Sequence, residues 1–166
     1  MKKTLIVVDM QNDFIDMALG TKEAVAIVPN VKKKIEEYKT NGYEIIYTRD
    51  THSSNYLETT EGKKLPVPHC IKGTKGWEIA DGLYIEGSKI IDKPNFGWPN
   101  WKEENLEDVL IIGLCTDICV VSNALIIKAT FPDAVVSVDK SCCAGVTVES
   151  HNAALKTMEM CQITII

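Results

Sequence analysis

The chain has 166 residues, 45% of them hydrophobic and 25% charged, the balance of one ordinary globular domain covering residues 1–166. Its net charge of −5 counts against nucleic acid as a partner, and the one basic run (Lys32, Lys33, Lys34) is followed at once by Glu36 and Glu37. No apolar stretch is long enough for a leader or a membrane span, and the six cysteines lack the tight spacing of a secreted scaffold, so a reducing, cytoplasmic setting is expected.

Residues 5–8 form a short apolar run that stops at Asp9. A helix is predicted next, because Val25, Val28, Val31, Ile35 and Tyr38 recur at three- and four-residue steps and Asn41-Gly42 is a stop signal. A second strand-like run covers 44–48. Residues 51–87 break the rhythm with Pro66, Pro68, Gly62, Gly73, Gly76 and Gly82, and an excursion of that length points to function. Strand-like runs resume at 89–91, 109–112, 134–138 and 163–166. Helices are predicted over 117–130, with Pro132 just beyond, and from after Gly145 through Leu155 and Met158, with Thr147 and Glu149 near its start. The six strand runs lack polar alternation, so they read as strands buried on both faces of a parallel sheet in an α/β fold.

Ligands of such a sheet sit beyond the carboxyl ends of its strands. Asp9 ends the first run, residues 49–52 follow the second, Asp92-Lys93 the third, residues 113–119 the fourth and 139–143 the fifth. Cys119 lies in a strand-to-helix turn, where exposed N–H groups lower a thiol pKa and can hold an oxyanion. A lone cysteine there is more often a buried structural residue. Asp9 and Lys93, read as the ends of adjacent strands beside Cys119, add a proton acceptor and a cation, which together make an activated nucleophile. The Cys115-x3-Cys119 spacing lacks the further ligands of a structural zinc pair.

Asp50-Thr51-His52 and His69 form a second set, two imidazoles and a carboxylate with coordination positions left open. Glu58 and Glu61 lie between them, and spacing does not choose one as an added ligand. His151 receives no role.

These residues fall in runs that resemble the isochorismatase-like cysteine hydrolases, nicotinamidase/pyrazinamidase branch. The runs are residues 9–14 (Asp9-Met10-Gln11-Asn12-Asp13-Phe14), 47–52, 68–70, 93–97 and 113–120, in order over nearly the whole chain. The resemblance implies a three-layer α/β/α fold with a Rossmann-like, mostly parallel six-stranded sheet. It places a catalytic triad on Asp9, Lys93 and Cys119, and an oxyanion hole on the N–H groups of Cys115 and Cys119, with a cis Leu114–Cys115 peptide. It places a divalent metal, zinc ahead of iron or manganese, on Asp50, His52 and His69, and ring contacts on Phe14 and Phe96; Trp98 is a further candidate wall. The implied substrate is a small amide, nicotinamide first, and the implied assembly a homo-oligomer. A ureide, carbamoyl or isochorismate-type substrate is the alternative, and a noncatalytic α/β binding protein a more distant one.

Overall fold

The structure is a computed structural model that describes all 166 residues. Six strands form one sheet: β1 (Lys3–Val8), β2 (Glu44–Asp50), β3 (Lys89–Lys93), β4 (Asp108–Leu114), β5 (Val135–Ala144) and β6 (Thr164–Ile165). Their order is β3-β2-β1-β4-β5-β6, and every pairing is parallel. The order reverses between β1 and β4, and the crevice at that reversal is where a doubly wound sheet takes its ligand.

Leu5 and Val7 point into one buried cluster, Ile6 and Val8 into the other, which is why β1 shows no alternation. Helix α2 (Lys22–Thr40) covers the first face through Ala24, Ile27, Val31 and Ile35. Helices α4 (Val121–Thr130) and α5 (Val148–Met160) cover the second through Ala124, Ile127 and Met158. The result is the expected three-layer sandwich. Thr21 caps α2 by accepting from the Ala24 N–H at 3.0 Å, and Gly42, at φ +67°, ends the segment as predicted. Thr147 and Ser150 close a reciprocal capping box on α5. No helix is long and apolar enough to cross a membrane.

Two single-turn helices, α1 (Asn12–Ile15) and α3 (Thr60–Lys64), were not expected, being too short to show a period. The fifth strand is also longer than predicted. Residues 139–143 lie inside β5, not beyond it, because the strand bulges between its pairings at Val138 and Cys143 and then runs on to Ala144. Asp139 belongs to that bulge, accepting from the Ser141 N–H at 3.0 Å and its hydroxyl at 2.6 Å.

Gly113 is the tightest point of the sheet. Its φ is +121°, and a Cβ there would lie 2.1 Å from the Val8 carbonyl oxygen of β1. Gly113→Ala is therefore expected to destabilise the fold by about 3 kcal/mol, strain and overpacking acting together. A urea titration reads this as a lower midpoint at unchanged slope.

Candidate active site

Three groups meet at the carboxyl edge of the sheet. Asp9 follows β1 with φ +47°, a left-handed turn that stops the strand and sets its carboxylate at the crevice. Lys93 is the last residue of β3, and Cys119 lies in the π-type turn Thr116–Val120 that leads into α4. Their exposures are 0% for Asp9, 0% for Lys93 and 4% for Cys119. The Lys93 ammonium stands 2.6 Å from Asp9 Oδ2 and 3.6 Å from Cys119 Sγ, and donates to the Asn95 carbonyl at 3.1 Å. Thr48 Oγ1 donates to Asp9 Oδ1 at 2.6 Å. The Lys93 contact to Asp9 Oδ2 is close but off the hydrogen-bond axis, so that oxygen keeps no aligned donor.

One sequence expectation changes here. Lys93 and Asp9 do not end adjacent strands, since β2 runs between β1 and β3. The long lysine stem crosses the end of β2, bringing Nζ to 3.9 Å from Asp50 Oδ1 on the way.

Electrostatics also differ from expectation. Burial, and then the Asp9 carboxylate, push the Cys119 thiol well above its ordinary value, and Lys93 opposes them without winning. Burial likewise raises Asp9 against the pull of Lys93 and Thr48. Burial works to lower Lys93, but Asp9, Cys119 and Asp50 outweigh it and hold the ammonium. Desolvation thus favours the neutral thiol of Cys119 over a preformed thiolate. Burial and Asp9 oppose the lowering expected of a helix N-terminus.

The turn carrying Cys119 is held from three sides. The Leu114–Cys115 peptide is cis, as the resemblance implied. The Cys115 carbonyl accepts from Ile118 and Val120 N–H at 3.1 and 3.0 Å, while the Cys115 N–H has no acceptor within the protein. Thr116 Oγ1 and His151 Nδ1 of α5 share a 2.7 Å hydrogen bond, so His151 has a structural part after all. Asn123, fully buried, satisfies all four of its amide bonds. Its Oδ1 accepts from Trp98 N and Trp101 Nε1, both at 2.9 Å, and its Nδ2 donates to Phe96 O at 3.1 Å and Cys119 O at 2.8 Å. Sequence reasoning missed Asn123, since nothing local marks an amide three of whose four bonds go to residues 22 to 27 positions away.

The second set assembles beside the first. Asp50 ends β2, His52 follows it, His69 lies beyond the double proline, and α3 contributes Glu61. His52 Nε2 is 2.9 Å and His69 Nε2 3.4 Å from Asp50 Oδ2, and each is 3.6 Å from Glu61 Oε1. These four ligand atoms lie within 4.8 Å of one another. Glu61 is the carboxylate that joins the cluster, and Glu58 stays exposed outside it. His69 Nδ1 donates to the Val67 carbonyl at 2.8 Å, which leaves the Nε2 lone pair of the neutral ring aimed into the cluster. Asp50 Oδ1 is buried without a hydrogen-bond partner. Two imidazoles and two carboxylates fit a divalent cation, while the unpartnered Oδ1 lies on the Lys93 side at 3.9 Å.

Between the two sets lies a cavity of about 50 Å³ walled by Phe14, Leu19, Leu65, Phe96 and Ile118. Asp50, Glu61 and His69 also line it, as do Cys115 and Cys119. The Phe14 ring is tilted against His69 at 5.5 Å. Trp98 does not join this wall: it packs into the core beneath α4, where Asn123 holds its backbone. A larger hollow of about 330 Å³, lined by Leu106, Phe131 and Pro132, gathers no nucleophile and no histidine.

Comparison with known proteins decides the lineage. The isochorismatase domain matches residues 3–166. The chain belongs to the isochorismatase family. Among relatives, this family member is 26% identical to a nicotinamidase of Schizosaccharomyces pombe, over 98% of this chain and 91% of that one. It is 32% identical to an Arabidopsis thaliana protein described as a probable inactive nicotinamidase, over 93% and 87%. Among solved structures, a pyrazinamidase of Pyrococcus horikoshii in complex with zinc superposes with a TM-score of 0.86 at 29% identity, covering 100% of this chain and 99% of that one.

Proposed function

We propose that this amidohydrolase deamidates a small aromatic amide, nicotinamide in the first instance, through a thioester on Cys119. A divalent metal, zinc ahead of iron or manganese, belongs to Asp50, His52, Glu61 and His69 in this reading. The observation that carries it is one cavity lined by Cys119, by His69, Asp50 and Glu61 of the histidine cluster, and by apolar side chains. A flat ring that carries both an amide and a lone-pair nitrogen matches that lining. The fission-yeast nicotinamidase and the zinc-bound pyrazinamidase support it. The plant relative described as inactive puts the weight on the residues rather than on family membership.

When bound, the metal supplies an electrophilic centre for the ring nitrogen. Phe14 and Phe96 confine the ring, so that the amide carbon faces Cys119 Sγ. Asp9 takes the thiol proton as sulfur attacks that carbon, and the N–H groups of Cys115 and Cys119 hold the developing oxyanion. The proton on Asp9 then passes to the amide nitrogen, and ammonia leaves as the thioester forms. Asp9, again a carboxylate, removes a proton from water, which attacks the thioester carbonyl; the acid departs and the thiol is restored. Lys93 stays an ammonium throughout, keeping Asp9 ionised enough to act despite its burial.

The test is ammonia release from nicotinamide by the zinc-supplied protein. Turnover is expected, with a fall of about a hundredfold or more after chelation and recovery on adding back zinc. No ammonia from the zinc-loaded protein would exclude nicotinamide as the substrate.

A further inference from the structure

Residues 9–14 supply Asp9 and Phe14 to the proposed mechanism, yet Gln11 between them is fully buried and has no part in it. Its surroundings are specific. Gln11 Oε1 accepts from the Asp50 N–H at 2.8 Å, and Nε2 donates to the Asp50 carbonyl at 2.9 Å and the Trp77 carbonyl at 2.8 Å. Two carbonyls and one N–H fix which end of the carboxamide is oxygen and which nitrogen.

The sheet explains why a side chain is needed there. The parallel ladder of β1 and β2 runs through Val8 and Thr48, and the Asp9 N–H still donates to the Thr48 carbonyl at 3.2 Å. One step further, the same ladder would send the Asp50 N–H to the Asp9 carbonyl and the Gln11 N–H to the Asp50 carbonyl. The left-handed turn at Asp9 prevents both, because the Gln11 N–H bonds the Asp9 carbonyl instead, at 2.7 Å. Without replacement, the inner edge of Asp50 would be a buried unpaired peptide group.

We infer that Gln11 is the positioning residue of the metal site: its carboxamide stands in for the missing strand and fixes the Asp50 backbone, and so its carboxylate, between the two histidines and Lys93. On its outer edge Asp50 is already paired with Lys93 of β3, and the Thr51 N–H donates to the Lys93 carbonyl at 3.0 Å. Gln11 completes the second side. The inference rests on the metal reading proposed above, since it assigns Gln11 a role toward the cation as well as toward the sheet.

The experiment is a competitive zinc titration against a chromophoric chelator, on wild type, Gln11→Met and Gln11→Glu. Both substitutions nearly keep the shape; the first removes all three hydrogen bonds and the second removes the two donated ones. Zinc affinity of the folded variants is expected to fall tenfold or more, as for other residues that orient metal ligands. A role confined to stability would lower the melting temperature and leave zinc affinity of the folded protein within twofold, which overturns the inference. Hydrogen exchange on the wild type needs no variant: the Asp50 amide is expected to exchange as slowly as that of Tyr47, and exchange at loop rates overturns it equally. Wild type that binds no zinc removes the metal reading, while the exchange result still judges the clamp itself.

Discussion

Cys119→Ala is expected to lower kcat for ammonia release by about 10⁵-fold, the scale on which removal of a covalent nucleophile acts. The expectation follows from where the sulfur lies. It is 3.6 Å from the Lys93 ammonium and lines the same cavity as Asp50, Glu61 and His69. No other nucleophile in that cavity has the same neighbours. Cys115 also lines it, but its sulfur has no hydrogen bond to Lys93, whose ammonium is directed at Cys119. Cys115→Ala keeps the backbone N–H and loses only sulfur, so it is expected to stay within about tenfold of wild type. Steady-state ammonia release on the two variants, prepared alongside wild type, gives the comparison. Equal activity in Cys119→Ala and wild type would end the nucleophile assignment, and with it the thioester.

Lys93→Met is expected to damage both fold and chemistry. Asp9 Oδ2 and Asp50 Oδ1 are buried oxygens without aligned donors, and Lys93 is the cation near both, at 2.6 and 3.9 Å. Removing one partner of such a buried arrangement leaves uncompensated charge, at a cost of about 3–5 kcal/mol. Asp9 then relieves the cost by taking up a proton, because burial already raises its pKa and the opposing ammonium is gone. A protonated Asp9 cannot accept the thiol proton, and general-base catalysis worth about 10²–10⁴ is lost with it. Denaturant titration reads the first effect, and ammonia release with the rate of Cys119 alkylation reads the second. A variant of wild-type stability whose kcat stays within threefold would show that the ammonium holds neither the fold nor the base.

Much of the fold was legible because its strands are buried on both faces. Ile6 and Val8 facing one layer and Leu5 and Val7 the other produce unbroken apolar runs, and a run of that kind declares its own strand. The reactive groups were legible because polar residues placed directly after such runs have little reason to be there except at the functional edge. What stayed hidden depends on geometry that spacing does not encode. Strand order put β2 between Asp9 and Lys93, and only side-chain reach closes that gap. The bulge in β5 drew residues 139–143 away from the edge where they were expected. Glu61 joined the histidines and Glu58 did not because α3 intervenes as a single turn too short to show a period. The thiol of Cys119 is raised rather than lowered because burial depth is a property of the folded chain. Gln11 and Asn123 were invisible for a related reason: a buried amide is recognised by its partners, and most of theirs come from distant segments.

The arrangement of β1 also bears on how the molecule comes into being. The strand that precedes the other five in sequence occupies the middle of the sheet, pairing Thr4 with Glu44 on one flank and Lys3 with Asp108 on the other. As the nascent chain emerges, Leu5 through Val8 can find β2 early, but the other edge stays bare until β4 has been made. Such late, long-range closure is slow and leaves an apolar edge open to strangers in the meantime. Asp9, at the tip of that strand, therefore meets Cys119 only when the segment through β4 has been translated. Fragments that stop short of β4 carry the base without its nucleophile, and a sheet whose centre is still an edge.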